Sequence, residues 1–161
     1  MSVQMELAKI IISEMADQQV IVLKEVDGER NFAIVIGPQE AWAIDRRLKG
    51  HATPRPMTHD LLKNVLLGLD VQVRKIVVND LRDDTFFALI WVEREGELIS
   101  IDSRPSDALA LALRVDCPIF VDEAVLKNSK VTTALAERSS NEQLRNYLEG
   151  LSDEDLGRYK M

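Results

Sequence analysis

Residues 102–107, Asp-Ser-Arg-Pro-Ser-Asp, gather two carboxylates, two hydroxyls and a guanidinium within six positions. A proline pushes the residue before it out of the α region, so Arg104 reads as the N-cap of a helix with Pro105 at its first position. Ser106 and Asp107 then fall in the first turn, where the helix dipole favours negative charge. A second elbow, Arg55-Pro56-Met57-Thr58-His59-Asp60, repeats the pattern. Its helix is expected over His59–Leu69, capped by Thr58, with an apolar face of Leu61, Leu62, Val65, Leu66 and Leu69. If the two helix starts face one another, His59, Asp60, Asp102 and Asp107 come together. A histidine beside an aspartate at a helix start can act as a base or a ligand. The plain alternative is that these residues only start helices, since caps are far commoner than active sites.

The elbow at 102–107 needs a strand running up to Asp102 and a helix from about Pro105 to Val115. Ala108, Leu109, Ala110, Leu111, Ala112, Leu113 and Val115 are apolar nearly all round, which predicts a buried helix. Upstream, Val3–Ile12, Val20–Val26 and Phe32–Ile36 read as strands, with a turn near Met15-Ala16-Asp17 and a hairpin at Asp27-Gly28. A helix over Pro38–Lys49 follows, stopped by Gly50, with Ala41, Ile44 and Leu48 as its inner stripe. Trp42 and Arg46 lie on its opposite face. A tryptophan there is either partly covered by a loop or a subunit contact. Residues 50–57 form a loop stiffened by two prolines.

Val71–Val78 is a strand with a bulge at Arg74-Lys75, and Asp83-Asp84 marks a turn. Phe86–Val92 is continuously apolar, as expected of a central strand covered on both faces. Glu95-Gly96 turns into Leu98–Asp102. Pro118–Val121 is extended and Glu123–Asn128 helical. Residues 127–138 read as a linker, and capping boxes at 139–143 open a helix carrying Leu144, Tyr147, Leu148 and Leu151. The expected fold is α/β (α+β): two three-stranded β-meanders forming a mixed or antiparallel sheet packed with helices, plus a helical C-terminal tail. The expected division is a domain over 1–126 and a tail over 127–161.

Composition sets bounds on this reading. The chain has 161 residues, enough for one domain with a tail, and 46% hydrophobic content supplies a core. A formal charge of −7 argues against a protein that coats nucleic acid, but not against an enzyme that meets phosphate through a few arginines and a metal. Cys117 is the only cysteine, so no internal disulfide exists and a cytoplasmic location is expected. It reads as a small buried hydrophobe. Ile10-Ile11-Ile12 is too short for a signal segment, and no stretch is long enough to span a bilayer.

Three stretches carry a resemblance. They are Ile36-Gly37-Pro38-Gln39-Glu40-Ala41 leading to Ala43-Ile44, then Arg55-Pro56-Met57-Thr58-His59-Asp60-Leu61-Leu62, then Ile101-Asp102-Ser103-Arg104-Pro105-Ser106-Asp107-Ala108. In order and spacing they resemble the bifunctional nuclease domain family, mainly bacterial with relatives in plants. Pro118-Ile119-Phe120-Val121 follows where the family has a similar strand, so the resemblance covers about residues 5–126. The ending from Leu151 is similar to the tail of several members, with Leu156 where Phe is commoner. Met57 and Ser103 depart from the expected Leu and Ala without removing a polar group. The resemblance implies an α/β fold, association into dimers or larger oligomers, and DNase or RNase activity. By motif position it points to Glu40, His59, Asp60, Asp102, Arg104, Ser106 and Asp107.

The chemistry that fits is metal-assisted phosphodiester hydrolysis of nucleic acid. Asp102 and Asp107, with Glu40 or Asp60, would hold Mg²⁺ or Mn²⁺, His59 would be the general base, and Arg104 would clamp the phosphate. Homo-oligomerisation would use the Trp42 face or the tail. The competing reading is a non-catalytic oligomeric binding or regulatory module. In it, Arg55 and Arg104 pair with Asp60, Asp102 or Asp107 and lock the helix starts. Spare carboxylate oxygens on an open pocket favour the first, and saturated buried ones the second.

Overall fold

Hydrophobic alternation and turn chemistry produce seven strands and four helices in the computed structural model, which describes residues 1–12 and 19–129. In chain order these are β1 (Ser2–Ile12), β2 (Gln19–Glu25), β3 (Asn31–Ile36), α1 (Pro38–Leu48), α2 (Thr58–Gly68), β4 (Gln72–Arg82), β5 (Thr85–Arg94), β6 (Glu97–Ser103), α3 (Pro105–Val115), β7 (Ile119–Asp122) and α4 (Glu123–Asn128). The turn expected at 15–17 and the tail beyond Ser129 lie outside the described residues.

The strands form one mixed sheet in the order β3-β2-β1-β7-β4-β5-β6. Each expected meander is present and antiparallel. Strand β7 joins them: it runs antiparallel to β1, with Met5 opposite Ile119, and parallel to β4, with Ile76 opposite Ile119. The Phe32 and Phe86 rings meet edge to face at 5.6 Å and tie the halves together. Helix α3 is buried along most of its length, as its all-round apolarity requires. Arg104 is its N-cap and Pro105 its first residue.

The register of β4 slips between Val73 and Lys75, at the expected bulge, and again between Val78 and Asp80. Three expectations are corrected. Strand β5 is not covered on both faces: Phe86, Ala88, Ile90 and Val92 are buried, while Phe87, Leu89 and Trp91 are half-exposed. Long cations cover part of that second face, Arg82 lying over Phe87 and Lys75 over Trp91. Leu48 is exposed rather than inward, because residues 48–51 at the end of α1 all project beyond the core.

Helix α2 is the largest departure. It buries no residue; only Leu66 packs against the core, and Leu61, Leu62, Val65 and Leu69 are exposed. Periodicity reports an amphipathic helix but not whether its apolar face finds a partner. Polarising an uncovered face has little effect. Leu61→Gln and Leu69→Gln should each change the unfolding free energy by less than about 0.5 kcal/mol in urea titrations. A loss well above that would mean that another surface covers α2 in solution.

Candidate active site

Three helix starts meet at one cavity. The first turns of α1, α2 and α3 contribute Glu40, His59 and Asp107 to a cleft of about 620 Å³, with Arg104, Thr58, Met57 and Trp42 on its walls. A helix N-terminus presents unpaired N–H groups and the positive end of its dipole, so three of them attract an anion even in an acidic chain. Each start follows from local sequence. Pro38 and Pro105 occupy first-turn positions where a missing N–H costs nothing. At α2 the N-cap is Met57, one residue before the expected Thr58, because the Met57 N–H donates to Asp60 Oδ2 at 2.9 Å.

Asp107 is the hub. Its Oδ1 lies 2.9 Å from His59 Nε2, and its Oδ2 accepts from Arg104 Nε at 2.8 Å. Arg104 Nη1 reaches on to Glu40 Oε1 at 3.3 Å. Gly37 makes room for this, since any Cβ there would collide with the Glu40 carboxylate as it folds back. The hydrogen bond from His59 and the Arg104 guanidinium outweigh partial burial and hold the Asp107 carboxyl at about 2, below its ordinary 3.8. Asp107 is therefore anionic, and the proton between it and His59 sits on Nε2. His59 Nδ1 has no hydrogen-bond partner among the described residues.

This depressed carboxyl has a testable sign. Its stabilisation is complete above the ordinary pKa and is lost as pH falls from about 4 to about 2. Urea unfolding of the wild type should weaken steeply across that window. In Asp107→Asn the slope should be shallower, and an identical slope would show that Asp107 does not report on folding.

The other expected site residues divide. Asp102, at the end of β6, is exposed and has no ion-pair partner among the described residues; it lines a second cavity of about 830 Å³ with His59, Asp107 and the apolar side of α2. Ser106 is buried, lines neither cavity, and its Oγ has no partner among the described residues. Asp60 turns away from His59. Its Oδ2 takes the Met57 N–H and its Oδ1 accepts from Arg114 Nε at 2.7 Å, which together hold its carboxyl below the ordinary range.

Arg114 escaped the sequence reading. It is buried, and its remaining donors bond the carbonyls of Ala110 and Ala43 at 2.8 and 3.1 Å, so one guanidinium joins all three helices. The available signal was a single arginine in an otherwise apolar helix, two turns after Asp107. The expected pairing of Arg55 is corrected accordingly: Asp60 pairs with Arg114, and Arg55 has no ion-pair partner among the described residues. Cys117 is partly buried, and burial pushes its thiol up to about 11, which removes it as a nucleophile.

The residues nominated for a metal do not fit a preformed ion site. Both Asp107 oxygens are engaged, Glu40 is drawn to Arg104, and Asp102 lines the second cavity but not the first. Among the described residues no three histidine, cysteine or carboxylate side chains come together as ligands. Nor is any helix among them long and apolar enough to cross a membrane.

The family profile described as the bifunctional nuclease domain matches residues 21–134. An uncharacterised protein of Mycobacterium tuberculosis is 34% identical over 157 residues, covering 91% of this chain and 93% of its own. Bifunctional nuclease 1 of Oryza sativa is 25% identical over 122 residues, covering 73% of this chain and 37% of its own. Bifunctional nuclease 1 of Arabidopsis thaliana is 25% identical over 134 residues, covering 76% and 41%. This chain thus spans well under half of the plant proteins it resembles and nearly all of the mycobacterial one. The profile match over most of the chain and the mycobacterial likeness along its length show that it belongs to the bifunctional nuclease domain family.

Proposed function

We propose that the protein cleaves phosphodiester bonds of nucleic acid in the cleft between the three helix starts. The observation that carries this reading is the His59–Asp107 pair, whose second imidazole nitrogen is left unbonded at a cleft rimmed by helix N-termini and Arg104. His59 Nδ1 takes a proton from the attacking water as its oxygen bonds to phosphorus, and the imidazolium returns that proton to the leaving ester oxygen as the P–O ester bond breaks. Asp107 fixes the ring and stabilises the imidazolium that forms. Arg104 and the first-turn N–H groups stabilise the charge that builds on the phosphoryl oxygens. Asp102 has no ion-pair partner among the described residues, and metal dependence is part of what is measured.

A specific observation favours the competing binding module: every oxygen of Asp60 and Asp107 already has a partner. One experiment separates the readings. Rigorously purified protein is assayed on single- and double-stranded DNA and on RNA with Mg²⁺, Mn²⁺ or EDTA, beside Asp107→Ala. Cleavage lost in the variant while its melting temperature falls only modestly supports catalysis at this cleft. Parallel loss of folding and cleavage sinks the catalytic role of Asp107, and no cleavage under any condition favours the module. Sedimentation equilibrium on the same sample reads the association of copies that belongs to the proposal.

A further inference from the structure

On the other side of Met57 from the cleft lies a third cavity, of about 300 Å³, between the end of α1, the 51–57 loop and the start of α2. Met57 lines both cavities, so they adjoin. The walls of the small one carry Arg46, Arg47, Arg55 and Arg114, together with His51, against a single carboxylate, Asp60.

The charges in it are not balanced internally. Both Asp60 oxygens are engaged, by Arg114 and by the Met57 N–H, and Arg114 bonds Asp60 and two carbonyls. These two neutralise each other and leave three guanidinium groups. Arg47 donates Nε to the Leu113 carbonyl at 3.3 Å, which anchors it and leaves its terminal amino groups unbonded among the described residues. Arg46 lies over the Trp42 ring at 4.9 Å, and its enclosed Nε has no partner. Arg55 is exposed and unpaired among the described residues. Gathering like charges is unfavourable unless an anion joins them, and this occurs in a chain whose net charge is −7.

The cavity is also preorganised. Pro54 and Pro56 stiffen the loop, and the Thr53 hydroxyl donates to the Arg55 carbonyl at 2.6 Å. The loop backbone is ordered before binding, and the ordering that remains is of the exposed Arg47 and Arg55 side chains. Planar guanidinium groups match phosphate oxygens in pairs, and the volume suits a phosphate but not a base pair. We propose that this pocket is a phosphate subsite that holds an uncleaved backbone phosphate of a nucleic-acid strand lying in the adjoining cleft. The inference builds on the nuclease reading of that cleft, but strand binding can be measured with cleavage switched off.

The test is fluorescence anisotropy of a labelled single-stranded oligonucleotide in EDTA across a salt series. The proteins are the wild type, Arg47→Gln/Arg55→Gln, and Arg74→Gln/Arg82→Gln. The last removes the same charge from a surface ion-pair region of the sheet. The Arg47/Arg55 variant should bind at least about tenfold more weakly, and its log–log salt slope should be smaller by about 0.7, one phosphate contact on a single strand. The control should bind as the wild type does. Urea unfolding of each variant establishes that it is folded, and Arg55→Gln alone, at an exposed unpaired position, repeats the measurement without touching a structural contact.

Equal binding by the Arg47/Arg55 variant and the wild type overturns the subsite, and cleavage by the wild type would then leave the catalytic reading standing. Weakened binding without cleavage by any form supports the subsite and overturns the catalytic reading. Inorganic phosphate or a nucleoside monophosphate is titrated separately. Tight binding of either, with no dependence of oligonucleotide binding on Arg47 or Arg55, makes the pocket a small-anion site and overturns the strand proposal. No binding of oligonucleotide by the wild type overturns it as well.

Discussion

His59→Ala should lower nucleic-acid cleavage by about 10²–10⁴-fold, the range that a positioned general base supplies. The basis is the 2.9 Å contact from Nε2 to Asp107, which fixes the ring at the wall of the proposed cleft. The fold should tolerate the change. Asp107 keeps its bond to Arg104, and removing one hydrogen bond from a half-buried carboxylate costs about 1 kcal/mol. At this chain length that is a fall in melting temperature of about 2–4 °C. Single-turnover cleavage and calorimetry on one preparation read both numbers. His59→Gln sharpens the test: it can keep a hydrogen bond to Asp107 but cannot accept a proton from water. Retained cleavage in either variant would remove His59 from the mechanism.

The second large effect is on stability. Arg114→Leu should cost about 2–3 kcal/mol and lower the melting temperature by about 6–10 °C. The guanidinium is buried and satisfies Asp60, the Ala43 carbonyl and the Ala110 carbonyl at once. Removing it takes a second donor from two helix carbonyls, which keep their intrahelical bonds, and strips the buried partner from Asp60, whose side chain is a third exposed and can recover some hydration. Arg114→Lys should rescue little, because one ammonium cannot span three acceptors on three helices. Cleavage should fall with it, since Asp60 fixes the start of α2 and with it the position of His59. A loss under about 0.5 kcal/mol in urea unfolding would mean that the helices hold one another without this guanidinium.

Much of the fold was legible because its determinants are local. Arg104-Pro105 sets the start of α3 within one residue, Asp27-Gly28 and Glu95-Gly96 set hairpins, and Glu123–Asn128 is helical as read. The exposure of α2 was not legible: the spacing of Leu61, Val65 and Leu69 describes one face of a helix, and nothing local says what meets it. The site was half legible. His59 and Asp107 do meet across 48 positions of sequence. Asp60 and Ser106 do not share their cleft, for a reason the sequence contains: adjacent residues on a helix point about 100° apart, so His59 and Asp60, or Ser106 and Asp107, cannot both face one partner. Arg114 was missed because a charged residue in an apolar helix signals a buried partner without naming it.

The place of β7 bears on how the protein is made. This strand is synthesised after the other six described strands, yet it fills the middle of the sheet, between β1 and β4. Until residue 122 has been added, a growing chain has two separate three-stranded ribbons, each with an extra open edge where β7 will lie. Pairing Met5 with Ile119 closes a loop of more than a hundred residues, a slow step in folding. Open strand edges are where chains associate wrongly in that interval. Helices α1 and α2 are connected to different ribbons, and α3 immediately precedes β7, so the two ribbons that carry the helices are joined only when β7 seats between them. A chain stopped before β7 would hold every candidate site residue without the strand that fastens the sheet beneath them.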